Sequence, residues 1–220
     1  MKAILSKING LRKRRVDVLR TLWYSSKYPA DHGKLLVAKE TYVEADKKSL
    51  VRSGNVHIGC PKGLFGNIGI PGRDKTLVLV DNGGKLVLGE DVYIYSGARI
   101  IVGGRGVVQI GDNTSIAANS YLLSRSRIAI GSDCAISWDV QIMDTDFHDI
   151  ADGKSEPVKD APVVIGNHVL ICSKATILKG VSIGNNSIIA ANAVVTRDVP
   201  DGCIAAGNPA RIIKENTDWK

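Results

Sequence analysis

Residues 165–194 read IGNHVL ICSKAT ILKGVS IGNNSI IAANAV, a run of six-residue blocks that each open on isoleucine. The series Ile165, Ile171, Ile177, Ile183 and Ile189 continues at the same interval to Val195. Upstream, the period runs through Ile110, Ile116, Leu122 and Ile128, then again from Ile130 through Ile136 to Ile142. Self-similarity at a fixed period marks a repeat architecture, and six residues is the period of a parallel β-helix. A short strand and a tight corner fit that length. The aliphatic residue points inward, and a small one follows four positions later, as at Thr114, Ser120, Ala175, Ser187 and Ala193. Gly often comes directly after the aliphatic, as at Gly111, Gly131, Gly166 and Gly184. Stacked coils bury one another's aliphatics, each contributing roughly 1.5–3 kcal/mol.

The period breaks twice. Residues are inserted between Ile128 and Ile130, and a polar stretch, Met143 to Val164, interrupts the later run. Insertions in repeat proteins become loops on one face, and such loops carry function. Towards the N-terminus the coils are less regular, with apolar runs such as Val56–Ile58 and Leu86–Leu88 separated by Gly, Asn and Asp. The expected organisation is all-β: a basic helical or irregular segment over 1–55, a β-helix over 56–205 with a protruding loop at 143–164, and a tail or short helix over 206–220.

The net charge of +7 is local. Residues 1–30 hold eight Lys and Arg against Asp17 alone, so the rest of the 220-residue chain is neutral. The charge of the main domain therefore gives no reason to expect nucleic acid. Ile4, Ile8, Leu11, Val18, Leu19 and Leu22 recur at helical spacing, which predicts an amphipathic helix over 3–24. It is expected to pack on its own domain or a neighbouring subunit, with peripheral membrane contact through residues 1–30 as the alternative. Cys60, Cys134, Cys172 and Cys203 are widely spaced, which argues against a zinc cluster or disulfide framework and fits a cytoplasmic chain. No apolar run is long enough to span a membrane, and the N-terminus has no secretory h-region.

The repeats ending IGNNSIIAANAVVTRDVP at 183–200, with AAGNPAR at 205–211, closely resemble the hexapeptide-repeat acyltransferases, and within them the maltose/galactoside O-acetyltransferase and glycan-modifying branch. That resemblance covers residues 107–214. It implies a left-handed parallel β-helix, a homotrimer with active sites between subunits, and acetyl-CoA as donor. It also implies a histidine on a projecting loop, and here the matching residue is His148. The acceptor implied is a sugar or glycan hydroxyl; transfer to an amino sugar, or a silent scaffold or glycan-binding role, are the alternatives.

A sugar hydroxyl is a poor nucleophile unless a base takes its proton as it attacks, which an imidazole with a pKa near ~6.5 can do. Asp144, Asp146 or Asp149 could hold that imidazole or bind acceptor hydroxyls, and sequence does not choose among them. By the resemblance, Ser173, Ala191, Thr196, Arg197, Arg211 and Lys214 match donor-site positions. Cations suit the phosphates of CoA, and small side chains suit the pantetheine arm. Two departures stand out: Leu170 where relatives often carry Trp, and Ala117 where some carry Asn. Asn119, two positions on, is expected to share that strand face and meet the acceptor or oxyanion. Trp138 is a candidate platform for a sugar ring. His168 is expected at a solvent-facing corner. The histidine spacing of the related zinc-dependent β-helix enzymes is missing, so no metal is expected.

Overall fold

The computed structural model describes residues 15–60, 74–81, 83–149 and 158–220. The chain winds as a parallel β-helix of three faces, each sheet taking every third strand. The first face stacks β1 (Leu35–Val37), β4 (Val56–Ile58), β7 (Val92–Ile94), β10 (Ser115–Ile116), β13 (Ala135–Ile136), β16 (Leu170–Ile171), β19 (Ile188–Ile189) and β21 (Ile204–Gly207). An antiparallel strand, β22 (Ala210–Lys214), closes it. The second face holds β2 (Thr41–Glu44), β5 (Thr76–Val80), β8 (Arg99–Val102), β11 (Tyr121–Ser124), β14 (Gln141–Met143), β17 (Thr176–Ile177) and β20 (Val194–Val195). The third holds β3 (Leu50–Arg52), β6 (Lys85–Leu88), β9 (Val107–Ile110), β12 (Arg127–Ile130), β15 (Val163–Ile165) and β18 (Ser182–Ile183).

The six-residue period maps directly onto these faces. Ile165 lies on the third, Ile171 on the first and Ile177 on the second, before Ile183 returns to the third. Registers Ile165↔Ile183, Ile171↔Ile189 and Ile177↔Val195 put like side chains in columns, none more than 2% exposed. The small residues are corner fillers. Thr114, Ser120 and Ser187 are fully buried and donate hydroxyl hydrogen bonds to the carbonyls of Gly131, Ser137 and Pro200 at 2.8, 2.7 and 2.8 Å.

Asn and Asp hold the turns because they tolerate the left-handed region. Asn113, Asp133 and Asn186 have φ of 53°, 58° and 58° at one corner, and Asn119, Asp139 and Asn192 have 58° at another. Side-chain oxygens also tie coil to coil. The N–H groups of Ser132, Asn167 and Asn185 donate to Asn167, Asn185 and Asp201, each at 2.8 Å. A Cβ on Gly131 would lie 2.4 Å from the Asn167 Oδ1 of this ladder, which explains glycine after the aliphatic.

Three expectations change. The β-helix begins at Leu35 rather than residue 56: Leu35↔Val56, Thr41↔Thr76 and Leu50↔Leu86 are in register with the next coil. Uneven corner lengths hide the period there, although the inward residues still alternate. The tail is strand β22 and an extended end, not a helix. Helix α1 spans Val18–Lys27, capped by the Asp17 carboxylate on the Arg20 N–H at 3.0 Å. The expected helical positions before residue 15 lie outside the described residues. The α1 stripe is also reversed. Thr21, Tyr24 and Ser25 face the first coil, whereas Val18, Leu19 and Leu22 face out, because the free strand edge offers polar backbone to polar side chains.

Candidate active site

Two corners of the prism carry the residues singled out from sequence. The turns from the first face to the second place Trp138, Ser173 and Ala191 in one column. The N–H of Lys174 donates to the Trp138 carbonyl at 3.1 Å, and that of Asn192 to the Ser173 carbonyl at 3.0 Å. Trp138 is 37% exposed, Ser173 is half-buried and Ala191 is exposed. A bulky indole is thus followed, coil by coil, by two small side chains. Asn119 sits at the same corner, but not as strand alternation suggested. It is a turn residue at φ 58°, and a Cβ on Gly97 would lie 2.1 Å from its Oδ1. Its amide therefore packs over the preceding coil.

The corner from the second face to the third carries the loop. Its stem is a short antiparallel ladder: Thr145 bridges Asp160, the Asp146 N–H donates to the Lys159 carbonyl at 3.0 Å, and the Ala161 N–H to the Asp144 carbonyl at 2.9 Å. Asp144 is fully buried at its root. Its carboxylate accepts from Ser124 Oγ at 2.6 Å, the Arg125 N–H at 2.8 Å and the Ser126 N–H at 3.0 Å. Those bonds occupy both oxygens, so this Asp anchors the loop to the preceding turn and is turned away from any acceptor.

Asp146 is engaged differently. It pairs with Lys179 Nζ at 2.6 Å, and the same ammonium donates to the Val158 carbonyl on the returning limb. Lys179 lies one coil further on at the same corner, so one cation grips both limbs. Phe147 follows at φ 60°, a left-handed conformation uncommon for an aromatic residue, with its N–H donating to Thr145 Oγ1 at 3.0 Å. His148 comes next and is exposed, as is Asp149. Residues 150–157 of the expected loop lie outside the described residues.

One coil beyond Lys179, Thr196 and Arg197 are exposed at this corner. Arg197 and Arg211 line one cleft of ≈ 120 Å³ with Val195, Val199, Ala205 and Ile212. Lys214, opposite Ile204 at the far end of β22, is exposed and outside that cleft. The cleft thus gathers two of the three cations expected to meet the donor.

Burial pushes the Cys172 thiol up, and pushes up that of Cys134, which hydrogen bonds only partly offset. A thiol next to Ser173 that resists ionisation is a weak nucleophile. His168 occupies its expected corner at φ 54°, but it is only partly solvent-facing, its side chain 35% exposed. Its ring stacks on Trp219 with centroids 4.5 Å apart, and Nε2 is 2.9 Å from the Trp219 carbonyl oxygen. The tail folds back over it. Lys179 and the anchoring role of Asp144 were missed from sequence, because both depend on which coils stack, and only the period across the loop could have hinted at that.

Comparison with known proteins bears on this arrangement. The family model described as bacterial transferase hexapeptide (six repeats) matches residues 162–197. A protein of Escherichia coli strain K12, named for lipopolysaccharide biosynthesis O-acetyl transfer and called WbbJ, is 32% identical over 146 residues, 62% of this chain and 74% of that one. The structure of the polySia-specific acetyltransferase NeuO superposes with a TM-score of 0.61 at 26% identity, covering 87% of this chain and 83% of that one. The hexapeptide-repeat acetyltransferase VCA0836 of Vibrio cholerae O1 biovar eltor, complexed with acetyl coenzyme A, gives a TM-score of 0.53 at 30% identity over 60% of this chain and 71% of that one.

Proposed function

The chain belongs to the hexapeptide-repeat acyltransferases, left-handed parallel β-helix enzymes, and from that premise we propose how its own residues carry out the transfer. It is an acyl-CoA-dependent O-acetyltransferase acting on a hydroxyl of a sugar or glycan. The observation that carries the mechanism is the loop. Its root is fixed by Asp144 and its limbs by Lys179, and it holds His148 clear of the prism on the same corner as the Arg197–Arg211 cleft.

Acetyl-CoA lies along the prism with its phosphates near Arg197 and Arg211, and Thr196 at the same corner. The pantetheine arm follows a track past Ser173 and Ala191, bringing the thioester towards His148. The acceptor oxygen attacks the thioester carbonyl carbon while the imidazole takes its proton. The tetrahedral adduct then collapses, the C–S bond breaks, and the proton passes to the departing sulfur to release CoA. Cys172, its thiol pushed up by burial, has no part in an acyl-enzyme. Trp138 offers a face for the sugar ring. Asp146, committed to Lys179, acts through the loop rather than on the acceptor. Lys214 can reach only the outer end of the donor.

In one protomer the His148 loop and the Ser173–Ala191 track leave from different corners, separated by the second face. A homotrimer that brings one subunit's loop to its neighbour's track completes the site. Residues 1–30 supply the basic end by which a membrane-borne glycan would be approached; among the described residues no helix is long and apolar enough to cross a membrane.

The decisive experiment measures CoA thiol release from acetyl-CoA over a panel of oligosaccharide acceptors. His148→Ala is expected to lose about 10²–10⁴-fold in turnover while still binding acetyl-CoA. Turnover near wild type in that variant removes His148 from the mechanism.

A further inference from the structure

Helix α1 closes the open end of the β-helix. Tyr24 and Tyr28 hydroxyls donate to the carbonyls of Val43 and Ala45 at 3.2 and 2.7 Å, and the Thr21 hydroxyl accepts from the Val37 N–H at 3.1 Å. With the polar face spent on the first coil, the apolar face is left outside. Leu19 is 80% exposed, Leu22 63%, Trp23 57% and Val18 52%, with Tyr42 of β2 also exposed beside them. Repeat proteins normally end in a cap whose outer face is polar. This cap is the reverse.

Cations border the patch. Lys27 Nζ lies 5.3 Å from the Trp23 ring centroid, and Arg20 sits on the first-coil side, donating to the Thr41 carbonyl at 2.7 Å. Residues 1–30 also hold the whole net charge of the chain. A second copy docked cap to cap would bring two such basic ends together, and they would repel. An anionic bilayer surface meets both demands: aliphatic and indole groups enter the headgroup boundary while Lys and Arg meet lipid phosphates. We propose that the outer face of α1, centred on Leu19, Leu22 and Trp23, docks the enzyme on an anionic lipid surface and stands the β-helix on end above it.

This orientation defines the acceptor further, and that part rests on the glycan acetyltransferase reading above. The loop leaves β14, which is separated from β2 by the strands β5, β8 and β11 of the second face. At ~4.8 Å per strand step, and with a helix ~10 Å thick between coil and lipid, His148 stands roughly 30 Å above the bilayer. The reactive hydroxyl therefore belongs to a sugar several residues out from a lipid anchor, not to the sugar attached to it.

The test is co-sedimentation of the full chain with phosphatidylcholine vesicles and with vesicles containing roughly a third phosphatidylglycerol. The expected result is binding to the anionic vesicles alone, weakened about tenfold or more in the variant Leu19→Ser with Leu22→Ser and Trp23→Ser. Its acetyl-CoA binding and its turnover of a soluble oligosaccharide are expected to match wild type, since all three side chains are exposed. Failure to bind anionic vesicles, or binding that the variant leaves unchanged, overturns the proposal. So does a variant that halves the oligomer without altering vesicle binding, which assigns the face to a second copy. Because soluble turnover is read separately, failure of the unaltered chain to bind anionic vesicles sinks the docking face and leaves the acetyltransferase assignment standing.

Discussion

Lys179 is the residue on which the precision of the loop turns. Its ammonium is the common partner of the Asp146 carboxylate at 2.6 Å and of the Val158 carbonyl, so it joins the outgoing and returning limbs. Both side chains of the pair are partly buried, at 23% and 31% exposure, which strengthens it beyond a surface ion pair. His148 lies two positions after Asp146, so slack there displaces the imidazole that the proposed mechanism uses as its base. Lys179→Met is expected to lower kcat by about ten- to a hundredfold with the KM for acetyl-CoA unchanged, since small misplacements of a catalytic group carry costs of that order. Lys179→Arg should recover much of the loss, because a guanidinium can bridge the same two oxygens. A Met variant with wild-type kcat would show that the clamp has no bearing on catalysis. Asp144 does a related task from inside: three donors converge on a carboxylate that was equally open, from sequence, to an acceptor role.

At the scale of elements, the coils were legible and their partners were not. Ile165 to Val195 announced the strands because a three-faced prism needs one inward aliphatic per face, and nothing else in the chain imposes that spacing. The interruption at 143–164 was legible for the same reason, and it ends where β15 resumes at Val163. The first coil was hidden, since its corners vary in length while its strands still pair in register. Asn119 was misjudged because strand alternation was carried into a turn, where a left-handed residue redirects the side chain. Helix α1 was read correctly as amphipathic over its described part, yet its polar side is the buried one. The reason is local: an open strand edge needs hydrogen-bond partners more than it needs aliphatic cover. The partial cover over His168 is not legible in local sequence, because it comes from a tail that returns over a distant coil.

For the whole molecule, the proposed mechanism makes catalysis a property of the assembly, because the loop corner and the Ser173–Ala191 corner are separated by the second face. Mixing two inactive variants tests this. His148→Ala removes the base, and Ser173→Trp blocks the track; co-refolded at equal amounts, random trimers should regain about a quarter of wild-type activity, because some interfaces then hold an intact loop and an intact track. Mixtures as inactive as their components would put the whole site within one subunit.

The most direct measurement is calorimetric titration of the purified protein with acetyl-CoA, alongside Arg197→Ala and Arg211→Ala. Binding is expected in the micromolar to sub-millimolar range, on the order of 5–8 kcal/mol, weakened in both variants and falling with added salt. No heat with acetyl-CoA or free CoA, or binding indifferent to both arginines, would contradict a donor held at the Arg197–Arg211 cleft.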